Sequence, residues 1–111
     1  MTTPPRTIES LPPEILRVAR QVAAIVRQVT GDAGYRVFLF GSWASGGARD
    51  RSDIDIGIEG PAPVDPVAMQ EIREACDALP TLYTLELVDF ACVSPRFRKE
   101  ATSKILEMEL A

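Results

Sequence analysis

Residues 41–58 read GSWASGGARDRSDIDIGI, and the second half of this stretch decides the fold. From residue 53 onward, polar and apolar residues alternate with the two-residue period of a β-strand, so one strand face is apolar and the other is acidic. The apolar face carries Ile54, Ile56 and Ile58, and the acidic face carries Asp53 and Asp55. Two carboxylates on one strand face stand about 6.5–7 Å apart, which leaves room for divalent cations. The strand therefore predicts a core on one side and a metal site on the other.

The segment before this strand predicts a phosphate-binding turn. An apolar run ends at Phe40 and breaks at Gly41 and Ser42, after which small residues follow. A strand that opens into a small-residue turn and a short helix presents free backbone N–H groups, and such groups bind phosphate. Ser42 adds a hydroxyl donor. Gly57 shares the face of the aspartates, and its missing side chain predicts that a ligand approaches the sheet closely there.

The two motifs together resemble a known family. The Gly-Ser pair at residues 41–42, ten further residues and the DID triplet at residues 53–55 form the pattern GS-x10-DxD. In this pattern the chain resembles the DNA polymerase beta-like nucleotidyltransferase superfamily, and in particular its minimal single-domain members. A spaced GS and DxD on a strand is a far more specific signal than an isolated DxD. Residues 85–90 and 94–98 are similar to the family's third-carboxylate strand and the helix after it, so the resemblance extends from Tyr35 to the C-terminus.

The resemblance implies a fold and a ligand set. The fold is α/β (α+β), a small mixed β-sheet flanked by helices, and the ligands are two Mg²⁺ ions and ATP. The implied metal ligands and catalytic residues are Asp53, Asp55 and Glu86. The implied triphosphate site is the turn at Gly41 and Ser42.

The loop between the turn and the acidic strand carries further candidates. We predict that Arg49 and Arg51 neutralise a triphosphate, with an ordinary charged loop as the alternative. Trp43 is the only tryptophan. Packing at the strand end is the commoner role for a lone Trp, and stacking on a nucleotide base is the alternative.

Glu86 is the implied metal ligand that departs from the family's usual residue type. On the strand predicted for residues 84–88 it lies on the face opposite Leu85 and Leu87, and the family usually has Asp at this position. The longer side chain moves the carboxylate outward, and a misplacement of about 1 Å costs roughly a hundredfold in rate. An exposed edge residue is the alternative for Glu86. Asp89 is a fallback carboxylate that we expect to be structural.

For the activity, the resemblance implies a Mg²⁺-dependent nucleotidyltransferase that transfers a nucleoside monophosphate, AMP from ATP, to a hydroxyl of a partner protein. The implied partner is a HEPN-domain ribonuclease toxin, which the chain would silence by AMPylation as its antitoxin. Two alternatives stay open. One is a catalytically weak binding module that neutralises its partner by contact alone, and the other is an enzyme that modifies a small molecule of the aminoglycoside type.

Composition argues against several other classes. With 111 residues the chain holds one core, which we place in residues 11–111 after a flexible tail in residues 1–10. A net charge of −4 and a pI near 4.8 argue against direct nucleic-acid binding, which calls for a basic face. No run approaches the roughly 18 apolar residues of a membrane span, so we predict a cytoplasmic protein without membrane contact. The chain has no histidine, and we predict that Cys76 and Cys92 are buried reduced thiols.

Periodicity predicts the remaining elements. A packing helix covers residues 13–31, a central strand with both faces covered spans residues 35–40, and a second helix begins with an Asp-Pro pair and occupies residues 65–80. A final helix begins at Ser94 and has one buried stripe. The stripe consists of Phe97, Ala101, Ile105 and Met108.

Overall fold

The computed structural model describes residues 7–31 and 34–108, which form four helices and four strands. In chain order these are α1 (Pro13–Thr30), β1 (Arg36–Phe40), α2 (Gly41–Ser45), β2 (Ile54–Glu59), α3 (Pro66–Asp77), β3 (Leu85–Asp89), α4 (Pro95–Ala101) and β4 (Leu106–Met108). The strands form one sheet in the order β3-β2-β1-β4. β2 and β3 run parallel, whereas β1 is antiparallel to both β2 and β4. The predicted fold class, a small mixed sheet flanked by helices, is confirmed.

One face of the sheet carries the main hydrophobic core. The three isoleucines of β2, Ile54, Ile56 and Ile58, are fully buried, as their alternation with polar residues predicts. They pack with Val37 and Leu39 of β1 against the apolar sides of α1 and α3. Burial of apolar side chains on this scale is the main favourable term in the folding free energy. It also fixes the register of β2, because a shift by one residue would place the aspartates in the core.

The opposite face carries a smaller aromatic cluster. Phe38 and Phe40 of β1 point to this side and pack against Phe90, at ring-centroid distances of 4.8 Å for Phe38 and 5.1 Å for Phe40. Phe97 of α4 adds edge-on contact with Phe40 at 6.1 Å. β1 is therefore covered on both faces, which confirms the prediction from its nearly continuous apolar sequence.

Both ends of α1 and the starts of α3 and α4 lie where the sequence predicts them. Pro13 occupies the first turn of α1, and Gly31 ends that helix at a φ of +65°. The Asp65 carboxylate accepts hydrogen bonds from the backbone N–H groups of Val67 and Ala68 at the start of α3. Ser94 Oγ accepts the backbone N–H of Phe97 at the start of α4. Each cap satisfies N–H groups that have no partner inside the helix.

The prediction of one long C-terminal helix is wrong. α4 ends at Ala101, and Met108 belongs to β4, a fourth strand that the sequence analysis missed. Thr102 Oγ1 and Ser103 Oγ donate to the carbonyl oxygens of Arg98 and Glu100 at 2.6 and 2.9 Å, and such local bonds compete with continued helix. The chain then extends and pairs with the otherwise free edge of β1.

Two further predictions need correction or lie outside the described residues. Both cysteines are free thiols, but only Cys76 is buried, whereas Cys92 is exposed in the turn after β3.

Residues 1–6 of the predicted tail are not described. Residues 8–10 form one 3-10 turn, and Ile8 of that turn packs against the main core. In the described part of the chain, none of the helices has the length and apolarity that a membrane crossing requires.

Candidate active site

The sheet places the three predicted carboxylates at one end of its aromatic face. Asp55 of β2 lies in register with Glu86 of the parallel strand β3. Neighbouring strands are about 4.8 Å apart, so these two side chains are direct neighbours. Asp53 lies just before β2, two residues from Asp55 and therefore on the same side of the chain. Asp53 and Glu86 are exposed, and Asp55 is half-buried between them.

The electrostatics of Asp55 show that these carboxylates interact. Burial raises the pKa of the Asp55 carboxyl, and the negative charges of Glu86 and Asp53 raise it further. A raised pKa means that the ionised form is disfavoured, because the group has lost water and faces two like charges. A cation at this position would relieve both effects.

Gly41 makes room for the Asp55 carboxylate. It directly follows β1, it begins α2, and its φ of +71° lies in the region that favours glycine. A Cβ built on Gly41 would overlap the Asp55 carboxylate. The glycine of the GS motif therefore lets a carboxylate of the DxD motif lie directly over the turn. This contact explains physically why the two motifs occur together.

The start of α2 has the form that the sequence predicts for a phosphate-binding turn. Phe40 precedes the helix in an extended conformation and provides no side-chain cap. The first backbone N–H groups of a helix have no partner within it, and here they begin beside Asp55. Ser42 is half-buried at the second position of the helix. The turn thus offers a hydroxyl and backbone N–H groups where Asp55 overlies Gly41, and phosphate binding there stays a prediction.

The loop from α2 to β2 is anchored by Trp43 and Ser52. The Trp43 indole is 9% exposed, donates to the carbonyl oxygen of Ser52 at 2.9 Å and meets the Tyr83 ring edge-on. This confirms packing as the role of Trp43. Ser52 Oγ accepts the backbone N–H of Arg49 at 2.8 Å, which closes the loop tightly. Arg49 and Arg51 are exposed on this loop, and Arg51 has a φ of +68°.

Two candidates from the sequence have structural roles. Gly57 is buried, and a Cβ there would run into the rings of Phe38 and Phe90. The expectation of close ligand approach at Gly57 is wrong, because the aromatic cluster fills that space. Asp89 is structural, as expected. Its two carboxylate oxygens accept the backbone N–H groups of Val64 at 2.8 Å and Ala91 at 2.9 Å, which ties the end of β3 to the segment before α3.

The carboxylates fit Mg²⁺ as an open site. Across residues 7–31 and 34–108, no three acidic or sulfur side chains already converge as a closed set of metal ligands. Mg²⁺ does not need such a set, because it keeps several waters and is commonly bound by one or two carboxylates together with substrate phosphates. Carboxylate oxygens are the ligands that this hard cation prefers. The residues present therefore suit a metal that arrives with its nucleotide.

A cavity that the sequence does not predict adjoins the turn at Gly41. It has a volume of about 320 Å³ and lies between the end of β1 and α4. Its lining residues are Phe40, Gly41, Ser45, Phe97, Glu100, Ala101, Ser103 and Lys104. The sequence predicts Phe97 on a buried helix stripe, but in the structure this residue is 40% exposed. No local sequence signal marks the cavity, since its two walls come from segments more than 50 residues apart.

An acidic cluster over a Gly-Ser turn, on a small mixed sheet, defines the class as nucleotidyltransferase. The family model described as "Nucleotidyltransferase domain" matches residues 19–87. This match spans more than half of the chain and includes the GS turn and all three carboxylates. The chain belongs to this family of nucleotidyltransferase domains, as the resemblance in its sequence implies.

One curated relative and three solved structures show which proteins of this kind the chain is similar to. The chain is 33% identical over 78 residues to the probable protein adenylyltransferase MntA of Haemophilus influenzae, with 70% of this chain and 67% of the relative covered. Among solved structures, a mutant of the MntA–HpeT toxin–antitoxin has a TM-score of 0.61 at 20% identity, covering 78% of this chain and 68% of that one. A complex of the MNT antitoxin with the tri-AMPylated HEPN toxin of Shewanella oneidensis has a TM-score of 0.61 at 19% identity, covering 84% and 70%. A toxin–antitoxin crystallised with AMP-PNP has a TM-score of 0.60 at 21% identity, covering 79% and 70%. These structures show a common fold.

Proposed function

We propose that this chain is a Mg²⁺-dependent protein adenylyltransferase that acts in the cytoplasm as the antitoxin of a HEPN-type ribonuclease. It transfers AMP from ATP to a hydroxyl of that partner. The observation that carries the proposal is the position of Asp55, which lies directly over the Gly41 turn with Glu86 in register beside it. The named relative and the HEPN complexes among the structural neighbours support the choice of substrate and partner.

In this proposal each residue near the turn has a distinct role. Asp53, Asp55 and Glu86 hold the metal, while Ser42 and the first N–H groups of α2 bind the triphosphate. Arg49 and Arg51 screen its outer charge from the exposed loop. A bound Mg²⁺ ion supplies polarisation of the phosphate and a lower pKa for the acceptor hydroxyl.

The transfer is an in-line displacement. The acceptor oxygen forms a bond to the α-phosphorus, the bond from that phosphorus to the bridging oxygen breaks, and pyrophosphate leaves with the electron pair. Glu86 is exposed on an edge strand. In the proposal it accepts the proton of the acceptor hydroxyl. Most of the rate enhancement then comes from positioning the reactants and stabilising the negative charge of the transition state, because the protein forms no covalent bond in phosphoryl transfer of this kind.

Glu86 also gives a reason to keep contact-only neutralisation as a second candidate. The side chain is exposed and longer than the Asp that is usual in the family. A weak or inactive site on a retained fold would then neutralise the partner by binding alone. Transfer to a small molecule has no comparable observation in its favour.

Intact-mass spectrometry tests the proposal. The chain is co-expressed with the HEPN-type product of its neighbouring gene, and that product is weighed with and without Mg²⁺ and ATP added after purification. We expect a gain of one or more adenylate groups that Asp55→Asn abolishes. Glu71→Gln, an exposed site on α3, is the charge-matched control and should leave the adduct intact. Neutralisation of the toxin without any adduct would favour the contact-only candidate.

A further inference from the structure

The cavity between β1 and α4 adjoins the turn at Gly41, over which the Asp55 carboxylate lies. Phe40, which forms its floor, pairs in register with Asp55 on the neighbouring strand. Gly41, which underlies the Asp55 carboxylate, also lines the cavity. A ligand with phosphates at Asp55 therefore has this cavity as the adjoining space on the side of β1. The volume of about 320 Å³ lies at the small end of the range for ligand pockets, roughly 300–1,000 Å³.

The wall opposite β1 presents an anchored but exposed aromatic ring. Phe97 contacts Phe40 edge-on at 6.1 Å and Phe90 at 5.9 Å, so the protein holds the position of its ring. Its side chain is nevertheless 40% exposed, one of three large apolar residues so exposed in the described part of the chain. A fixed ring with a free face is a platform on which a planar base can stack.

Charged side chains and hydroxyl groups lie at the edge of the cavity. Glu100 and Lys104 provide a carboxylate and an ammonium, and Ser45 and Ser103 provide hydroxyls. The Glu100 carboxylate contacts the exposed Arg96 at 3.4 Å, and its second oxygen remains available as an acceptor. An apolar aromatic wall with a few polar groups at its edge is the usual composition of a small-molecule site.

We propose that this cavity binds the nucleobase of the donor nucleotide, with Phe97 as the stacking residue and Glu100 as the acceptor for an exocyclic amino group. The inference rests on the proposed function, because it requires the triphosphate at Asp55. It extends that function by assigning base recognition to α4. A carboxylate acceptor favours adenine over hypoxanthine, which carries an oxygen where adenine carries its amino group.

Isothermal titration calorimetry in Mg²⁺ separates the base from the phosphates. The ligands are ATP, ITP and inorganic tripolyphosphate, and the proteins are the wild type, Phe97→Leu, Phe97→Tyr and Glu100→Gln. Phe97→Leu retains an apolar side chain but removes the ring, so ATP affinity should fall about tenfold or more while tripolyphosphate affinity stays unchanged. Phe97→Tyr keeps the ring and should keep ATP affinity. Glu100→Gln should reduce the preference for ATP over ITP.

The control is Val67→Ala, which alters another exposed apolar side chain at the start of α3 and should leave all three affinities unchanged. If tripolyphosphate binds and Phe97→Leu leaves ATP affinity unchanged, the base assignment is overturned while the proposed function stands. If Phe97→Leu spares ATP binding but slows transfer to the partner, the cavity serves the acceptor and the inference is likewise overturned. If the wild type binds neither ATP nor tripolyphosphate in Mg²⁺, both proposals fail together.

Discussion

Gly41 and Asp55 form the closest link between the two sequence motifs. The turn glycine lies under the carboxylate, so any side chain at residue 41 must displace Asp55. The chain offers a comparison, because Gly31 at the end of α1 also has a positive φ, +65°, but a Cβ there would meet no atom within 4 Å. Backbone strain and collision with the carboxylate are therefore separable at the level of single residues.

We expect Gly41→Ala and Gly31→Ala both to lower the free energy of unfolding, but only Gly41→Ala to lower activity. Each variant forces an alanine into a conformation that costs about 1–3 kcal/mol, measured as the free energy of unfolding in urea. Only Gly41→Ala moves Asp55, and a shift of about 1 Å costs roughly a hundredfold in rate. Equal activity in the two variants would contradict the role given to the contact between Gly41 and Asp55.

Asp55→Asn should abolish transfer and stabilise the fold at neutral pH. The pKa of Asp55 is raised in the folded protein by burial and by Glu86 and Asp53, so its ionised form costs the folded state free energy. That cost is absent below the unfolded pKa, near 3.8, and is complete above the folded pKa. The free energy of unfolding of the variant should therefore equal that of the wild type in acid and exceed it increasingly as the pH rises. Urea titrations of the two proteins between pH 3 and 8 measure this, and an equal free energy of unfolding at every pH would contradict it.

At the scale of elements, the sequence predicts what periodicity and capping control. The isoleucines of β2, the Asp65 cap and the Ser94 cap are local signals, and all are confirmed. The strand β4 depends on a distant partner, the free edge of β1. Its sequence fits two periods, because the spacing of Ile105 and Met108 suits a helix while residues 106–108 alternate as a strand.

The site shows the same division between local and distant information. The strand period places Asp55 and Glu86 on one face, and the structure pairs these two residues in register; the three-carboxylate site stays a prediction. Gly57 was misread because its neighbours Phe38 and Phe90 lie on other strands or beyond them. The cavity was missed for the same reason, since Phe40 and Phe97 meet only after folding. Local sequence patterns do not reveal contacts between residues that are distant in the sequence.

The docking of α4 on the sheet depends on a shared carboxylate. Glu59 at the end of β2 is only 19% exposed and accepts bonds from Arg36 of β1 and from Arg98 of α4. We expect Glu59→Gln to lower the free energy of unfolding by about 1–3 kcal/mol, because two guanidinium groups lose a charged acceptor. The control is Arg96→Gln, whose pair with Glu100 is exposed and contributes about 0–1 kcal/mol. Equal midpoints in urea for the two variants would contradict this role of Glu59.

The described residues form one sheet with helices on both faces, and in the proposal the protein substrate supplies the rest of the binding surface. A sheet with two helices on one face and one short helix on the other leaves the carboxylate edge open to solvent. A protein acceptor brings its own surface to such an edge. The net charge of −4 gives no general attraction for a polyphosphate, so we expect binding of the nucleotide to depend on the metal.

Mg²⁺ and ATP should therefore stabilise the molecule together and much less when added singly. A ligand that binds only the folded state at 100 times its Kd adds about 2.7 kcal/mol, which corresponds to a rise in Tm on the order of 10 °C for a domain of this size. Without the cation, the triphosphate meets Asp53, Asp55 and Glu86 as like charges, and without the triphosphate the open site holds the metal weakly. Differential scanning fluorimetry with Mg²⁺, with ATP plus EDTA and with both measures the effect. Asp55→Asn should lose the combined shift, and Glu71→Gln should keep it. An equal shift with ATP plus EDTA would mean that the nucleotide binds independently of the carboxylates.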